Sequence, residues 1–260
     1  MGNKIVICIP NNRFFLDEQF VKSLLGIVQS FYVWNASIGN KYNLSLYFKG
    51  GGWIDRMREN LAYYALEEKK DYILCLDTDM TFPSSLVQQM MTIFETYEDI
   101  DAITGLYTWK VPPFQPHVYG EFERGRFTPA IGFPIDKLFP VESAGFGCLM
   151  MKTSLIGKIE RPWFKFIHGK CGEDMFFFKK LKKKGIHYKM LCNPLISCGH
   201  LTTESVDVQS YISYNNIKVQ EGNLILDKHA IDVLTKHQER INEDHEKSLP
   251  DLSEIEHEEI

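Results

Sequence analysis

The stretch Asp71-Tyr72-Ile73-Leu74-Cys75-Leu76-Asp77-Thr78-Asp79-Met80 carries the strongest signal of the chain's architecture. Asp71–Leu76 reads as a strongly apolar strand of the kind buried on both faces of a parallel sheet. The strand ends on two carboxylates at i and i+2, which an extended chain projects to the same side. In an open α/β sheet, ligands bind outside the carboxyl ends of the strands. Two aspartates there repel one another unless a cation or a proton intervenes, and a divalent metal bridging to a diphosphate resolves that repulsion. The plainer alternative is that Asp77 and Asp79 begin a turn and cap the helix that follows.

Outward from this stretch, strand and helix signals alternate. Lys4–Ile9 is a β-branched run ending at Pro10. From Asp17, Phe20, Leu24, Ile27 and Phe31 recur at helical spacing. Leu44–Phe48 reads as a second strand, broken by Gly50-Gly51-Gly52, and Ile54, Met57, Leu61, Tyr64 and Ala65 mark a second helix. Pro83 suits the first turn of a third helix with Leu86, Met90, Ile93 and Tyr97 on one face, and Asp101–Tyr107 is a fourth strand. This alternation predicts an α/β fold with a mostly parallel central sheet flanked by helices.

The pattern changes after Trp109. Residues 110–140 are rich in proline, glycine and aromatics and poor in helical periodicity, as expected of irregular strands and loops lying over a site. Gly145–Lys152 returns to strand character. A helix is expected over Glu173–Lys184, with carboxylates in its first turn, lysines in its last and Gly185 as its stop. Residues 227–246 read as an amphipathic helix, and the acidic stretch Leu252–Ile260 as a frayed tail.

With 260 residues, the chain is long enough for one α/β domain and a modest extension. A net charge of −5 gives no general electrostatic case for binding nucleic acid. No apolar run reaches the length of a transmembrane segment. The opening MGNKIVICIP lacks the pattern of a secretory signal, and Val6 stands where a myristoylation motif wants Ser or Thr. The six cysteines form no CxxC pair, and the spacing of Cys192, Cys198 and His200 fits no common zinc site. Free thiols and a cytoplasmic location are the expectation, which leaves the sequons at Asn35 and Asn43 without meaning.

Two further features bear on chemistry. Glu173-Asp174 opens a helix after Gly172, either as dipole-favourable capping or as catalytic carboxylates on the acceptor side of a site. His200 follows Cys198-Gly199 after an apolar run. It is either a structural histidine or, as a neutral imidazole, a third ligand to a metal held by carboxylates.

Taken in order, the set resembles GT-A glycosyltransferases, the compact bacterial and phage-like ones related to the large inverting family 2. Ile9-Pro10 ends the first strand, and Gly51-Gly52-Trp53-Ile54 leads to Arg58. LDTDM follows, with Phe82-Pro83 behind it. Gly145-Phe146-Gly147, Gly172-Glu173-Asp174 and Gly199-His200 complete the series, so the match spans residues 4–202. The resemblance implies a Rossmann-like GT-A catalytic domain over 1–215, a helical extension over 216–247 and a tail over 248–260. It implies a nucleoside diphosphate sugar donor, with Pro10 and Asn11 near the base, Arg58 near the base or phosphates, and Asp77 and Thr78 at the donor. Asp77, Asp79 and His200 would hold Mn²⁺ or Mg²⁺. Asp174, beside Glu173, would be the general base, while Gly145 and Gly147 would let backbone approach the sugar or simply serve a tight turn. The acceptor stays open among glycan, lipid carrier, protein and modified base. Arg58-Glu59 departs from the Arg-Asn common in relatives, and nothing beyond about Val206 has a counterpart. The alternatives are a catalytically inactive nucleotide- or glycan-binding module and a sugar-1-phosphate nucleotidyltransferase. The latter lacks its glycine-rich phosphate loop here.

Overall fold

In the computed structural model, which describes residues 2–12, 15–123, 125–168, 171–202 and 205–247, the chain begins with strand β1, Asn3–Asn11. The elements that follow are α1 (Glu18–Ser37), β2 (Tyr42–Gly50), α2 (Ile54–Glu67), β3 (Tyr72–Leu76), β4 (Met80–Thr81), α3 (Leu86–Thr96) and β5 (Ala102–Leu106). Next come β6 (Val118–Glu123), β7 (Arg126–Pro129), β8 (Phe139–Val141), β9 (Ser143–Ala144), β10 (Cys148–Lys152), α4 (Thr153–Ile156) and α5 (Glu173–Lys183). The chain continues through β11 (Met190–Ser197), β12 (Gly199–Leu201), β13 (Ser205–Val206), α6 (Val208–Tyr214), β14 (Lys218–Gln220), β15 (Asn223–Ile225) and α7 (Lys228–Lys247). The tail expected over 248–260 lies outside the described residues.

Seven strands form the central sheet in the order β2-β1-β3-β10-β5-β11-β8. Pairings β1–β2, β1–β3 and β5–β11 are parallel, whereas β10 runs antiparallel to both β3 and β5, and β8 antiparallel to β11. The sheet is therefore mixed, with five strands pointing one way. Because β10 is reversed, its N-terminal end, with Gly145–Gly147 before it, reaches the edge where β3 and β5 finish. The 110–140 segment lies partly over the sheet and partly within it, since Phe139–Val141 closes the sheet's edge as β8.

Strand alternation divides the core in two. Ile5, Ile7 and Ile9 face α1 and α3, packing with Phe20, Leu24, Ile27, Phe31, Leu86 and Met90. Val6 and Cys8 face the other way, toward Leu61, Ala62 and Ala65 of α2 and Phe177, Phe178 and Leu181 of α5. Asp17 caps α1, accepting from the Gln19 N–H at 2.7 Å. The buried stripe of α1 continues to Asn35, whose amide donates to the Tyr42 carbonyl at 2.9 Å and whose oxygen accepts from the Tyr42 N–H at 3.0 Å. A side chain so buried and so engaged is no glycan acceptor.

Two helical faces differ from their periodicity. On α2, Tyr64 is exposed, while Arg58 and Glu59 are buried beside Met57 and Leu61. Pro83 lies three residues before α3, and its carbonyl accepts from the Leu86 N–H at 3.1 Å. Helix α3 takes Ser85 as its N-cap residue, so neither Asp77 nor Asp79 caps it. Residues 216–247 carry the β14–β15 hairpin before α7, and Ile217, Leu224 and Leu234 join the core cluster on the α2 side.

Candidate functional site

The carboxyl ends of the parallel strands gather the residues singled out from the sequence. Pro10 and Asn11 end β1, where Asn11 pairs with Gly50 of β2. Asp77, Thr78 and Asp79 form the turn between β3 and β4. The Asp77 N–H donates to the Gly147 carbonyl at 3.1 Å, which ties this turn to the strand arriving from the opposite direction. His200, on β12, pairs with Met80, and the Leu201 N–H donates to the Asp79 carbonyl at 2.7 Å. Thus one small sheet, β13-β12-β4, holds the aspartate turn and the histidine side by side.

Arg58 joins the parts. Its Nη2 donates to Asp77 Oδ1 at 2.8 Å, its Nε to Glu173 Oε1 at 2.9 Å and its Nη1 to the Phe146 carbonyl at 3.3 Å. The resemblance set this arginine against the donor's base or phosphates; in the fold its side chain is only 4% exposed and committed to three protein acceptors. Burial works against the charged guanidinium, but Asp77 and Glu173 outweigh it and raise its pKa. Burial also raises the Asp77 carboxyl, opposed by Arg58 and reinforced by Asp79 and Glu173. A planar fork on two carboxylates and a carbonyl is geometry that a lysine cannot reproduce.

Glu173 and Asp174 open α5, which starts at Gly172 without a side-chain cap. Asp174 is part-buried, and its Oδ1 accepts from the Met175 N–H at 2.6 Å. Burial first, then the neighbouring Glu173, pushes its carboxyl up to about 7. A side chain on Gly172 would meet Asp174 Oδ1 at 2.8 Å, so the glycine leaves room for this carboxylate.

The imidazole of His200 is pinned at Nδ1 by the Thr108 carbonyl. A carbonyl accepts only, so Nδ1 carries the proton and the neutral ring has its lone pair on Nε2. Burial lowers its pKa, which favours that neutral form. Asp77, Asp79 and His200 are thus two carboxylates and a neutral imidazole, close enough for their charges to act on one another. By donor type and neighbourhood they suit Mn²⁺ or Mg²⁺. Among the described residues, however, no three such groups already converge on one metal-sized position. Asp79 forms an ion pair with Lys110, and Asp77 with Arg58.

Gly145 and Gly147 face protein. A Cβ on Gly145 would lie 2.0 Å from the Tyr107 phenol oxygen, and one on Gly147 would lie 2.6 Å from Met80 Sδ. The Gly147 N–H donates to that same Tyr107 oxygen at 3.0 Å. Both glycines therefore admit the Tyr107 ring beneath the site.

Several participants carry no sequence signal of their own. His117 is stacked between Tyr107 and Trp109, at ring separations of 4.9 and 5.1 Å, and burial drives its pKa down to about 3. Burial first, then the charge of Asp174, raises the Tyr119 phenol. Lys110, His117 and Tyr119 all belong to the 110–140 segment, recognisable from sequence only as a cover over the site. Glu59 acts structurally, because its carboxylate accepts from Arg161 Nε at 2.7 Å and from the Trp163 and Phe164 N–H groups at 2.8 and 3.0 Å. It thereby anchors the loop that leads toward α5. Two lysines of α5 are engaged locally: Lys180 bonds the Glu160 and Pro162 carbonyls, and Lys182 pairs with Glu142.

No protein-family model matches this chain, and no curated protein matches it. Among solved structures, A197 from STIV superposes with a TM-score of 0.55 at 18% identity, covering 87% of this chain and 95% of that one. The two share an α/β fold with a mixed seven-stranded central sheet flanked by helices. No helix among the described residues is long and apolar enough to cross a membrane.

Proposed function

We propose that the chain is a glycosyltransferase of the GT-A type, moving a sugar from a nucleoside diphosphate donor to an acceptor hydroxyl. The observation that carries this reading is Asp174, a carboxyl raised to about 7 on the strand-end edge that also holds Asp77, Asp79 and His200. A general base works best when its pKa lies near the operating pH. Helix α5 carries Asp174 in its first turn, and the charge of Asp77 acts on it from the turn after β3. That division suits a base at the acceptor and charge control at the donor. The ordered motifs over residues 4–202 and the shared fold support the same reading.

In the proposed reaction Asp174 takes the acceptor hydroxyl's proton as that oxygen bonds to the anomeric carbon. The bond from that carbon to the diphosphate oxygen breaks, and direct displacement inverts the configuration. Pro10, Asn11 and Thr78 line the donor side at the ends of β1 and β3. Arg58 is a positioning residue that holds Asp77 and Glu173 in register through three hydrogen bonds. Asp77, Asp79 and His200 would hold Mn²⁺ or Mg²⁺, which when bound supplies Lewis-acid neutralisation of the departing diphosphate.

The test is a panel of nucleoside diphosphate sugars incubated with purified protein and Mn²⁺, followed for slow release of nucleoside diphosphate. Hydrolysis of one donor, lost on Asp79→Ala and slowed on Asp174→Asn, is the expected result. If no donor in the panel is hydrolysed and none binds by calorimetry, the glycosyltransferase reading fails.

A further inference from the structure

We propose that Lys110 is the resident counter-ion of Asp79 and competes with a divalent cation for that carboxylate. The proposal rests on the reading of Asp77, Asp79 and His200 as metal ligands. Lys110 reaches Asp79 from the segment after β5, across the edge from the turn after β3. Its side chain is one-third exposed and that of Asp79 one-quarter, so both are partly open to solvent. The stretch that carries it also sets the histidine, since the Thr108 carbonyl pins His200 Nδ1. The Trp109 N–H donates to the Gln115 carbonyl at 2.8 Å, closing the turn that directs Lys110 back over the site. Residues 108–110 therefore orient one candidate ligand and cover another.

The two cations on the aspartate pair differ in kind. Arg58 is buried and held by three acceptors, so its place on Asp77 is fixed. Lys110 is a compact ammonium on a flexible stem, which can leave without opening the core. A metal ion and an ammonium repel one another and need the same carboxylate oxygens. Metal entry at Asp79 then requires Lys110 to withdraw, and the tethered ammonium weakens metal binding by the stability of the pair it forms.

Mn²⁺ alone is the probe, with no donor present. Binding is measured by the loss of the free-ion electron paramagnetic resonance signal and by calorimetry on the full chain. Lys110→Gln is expected to tighten Mn²⁺ binding by about threefold or more, the scale set by losing a part-exposed ion pair. Lys110→Arg keeps the charge and should stay close to the parent. Lys189→Gln removes the same charge from an exposed pair with Asp99 just before β11, at the opposite end of the parallel strands, and should leave binding unchanged. Asp79→Asn should abolish the effect of Lys110→Gln. Equal or weaker Mn²⁺ binding by Lys110→Gln overturns the proposal, as does equal tightening by Lys189→Gln. So does an absence of Mn²⁺ binding in every form. Donor hydrolysis is scored separately, so these failures leave the glycosyltransferase reading to stand or fall on its own assay.

Discussion

Replacing Asp174 by Asn should stabilise the protein at alkaline pH and not at acid pH. The carboxyl sits at about 7 in the fold against an ordinary value of 3.8. Because the folded value is the raised one, the native state binds the proton more tightly than the unfolded state does. The stability this group contributes is then fully present below about pH 4 and is lost as pH rises through about 7. A shift of about three units corresponds to about 4 kcal/mol between the fully protonated and fully ionised limits. Between pH 5 and pH 8.5, about 2–3 kcal/mol of that difference is accessible. Asparagine is neutral throughout and keeps an oxygen to accept from the Met175 N–H, so Asp174→Asn escapes the loss while preserving the local bond. Urea unfolding followed by tryptophan fluorescence and circular dichroism, run for both proteins at half-unit steps, measures the difference directly. The variant should gain about 2–3 kcal/mol on the parent across that range, while donor turnover falls. A constant offset at every pH, or a relative loss at pH 8.5, would refute the reasoning. Asp174 would then be an ordinary ionised acid at a helix N-terminus, unfit for the role of base.

Arg58→Met leaves Asp77 and Glu173 buried without their shared cation and should cost about 3–5 kcal/mol in chemical denaturation; Arg58→Lys, which cannot span three acceptors, should fall between the two. Gly145→Ala drives a methyl into the Tyr107 phenol oxygen and should cost about 1–3 kcal/mol by thermal unfolding. Tyr107→Phe in the same chain should return part of that loss, because the oxygen is the clashing atom. His117 has its folded pKa depressed to about 3, so the stability it contributes is present above its ordinary value near 6.5 and lost as pH falls. His117→Phe should therefore gain about 2 kcal/mol on the parent between pH 7.5 and pH 4.5, read by the same urea titrations.

Features that repeat locally were readable from the order of residues. The α1 stripe of Phe20, Leu24, Ile27 and Phe31 is legible because a 3.6-residue period needs no knowledge of the partner surface, and all four side chains are buried as that period requires. Asp77 and Asp79 were legible as a strand-end pair, and Glu173-Asp174 as a helix start, because both are features of adjacent residues. Their order along the chain, with Gly145–Gly147 and Gly199-His200, carried the resemblance that implied one shared site.

Whatever depends on direction and on distant partners came from the folded chain. A five-residue apolar run such as Cys148–Lys152 buries equally well in either direction, so nothing local marks β10 as the reversed strand between β3 and β5. That reversal places Gly147 against Asp77 and the glycine pair over Tyr107. The resemblance set Arg58 against the donor, and nothing local marked either Arg58 or Glu59 for burial, since charges on a helix are ordinarily exposed. They can be buried because Glu173 and the Trp163 and Phe164 amides, more than a hundred residues away, satisfy them in the fold. Lys110 and His117 sit in a segment without period, and a single lysine or histidine carries no sign of what it will face. Burial and charge pairing are properties of the assembled site, and they are what lift Asp174 toward neutrality and set an ammonium on Asp79.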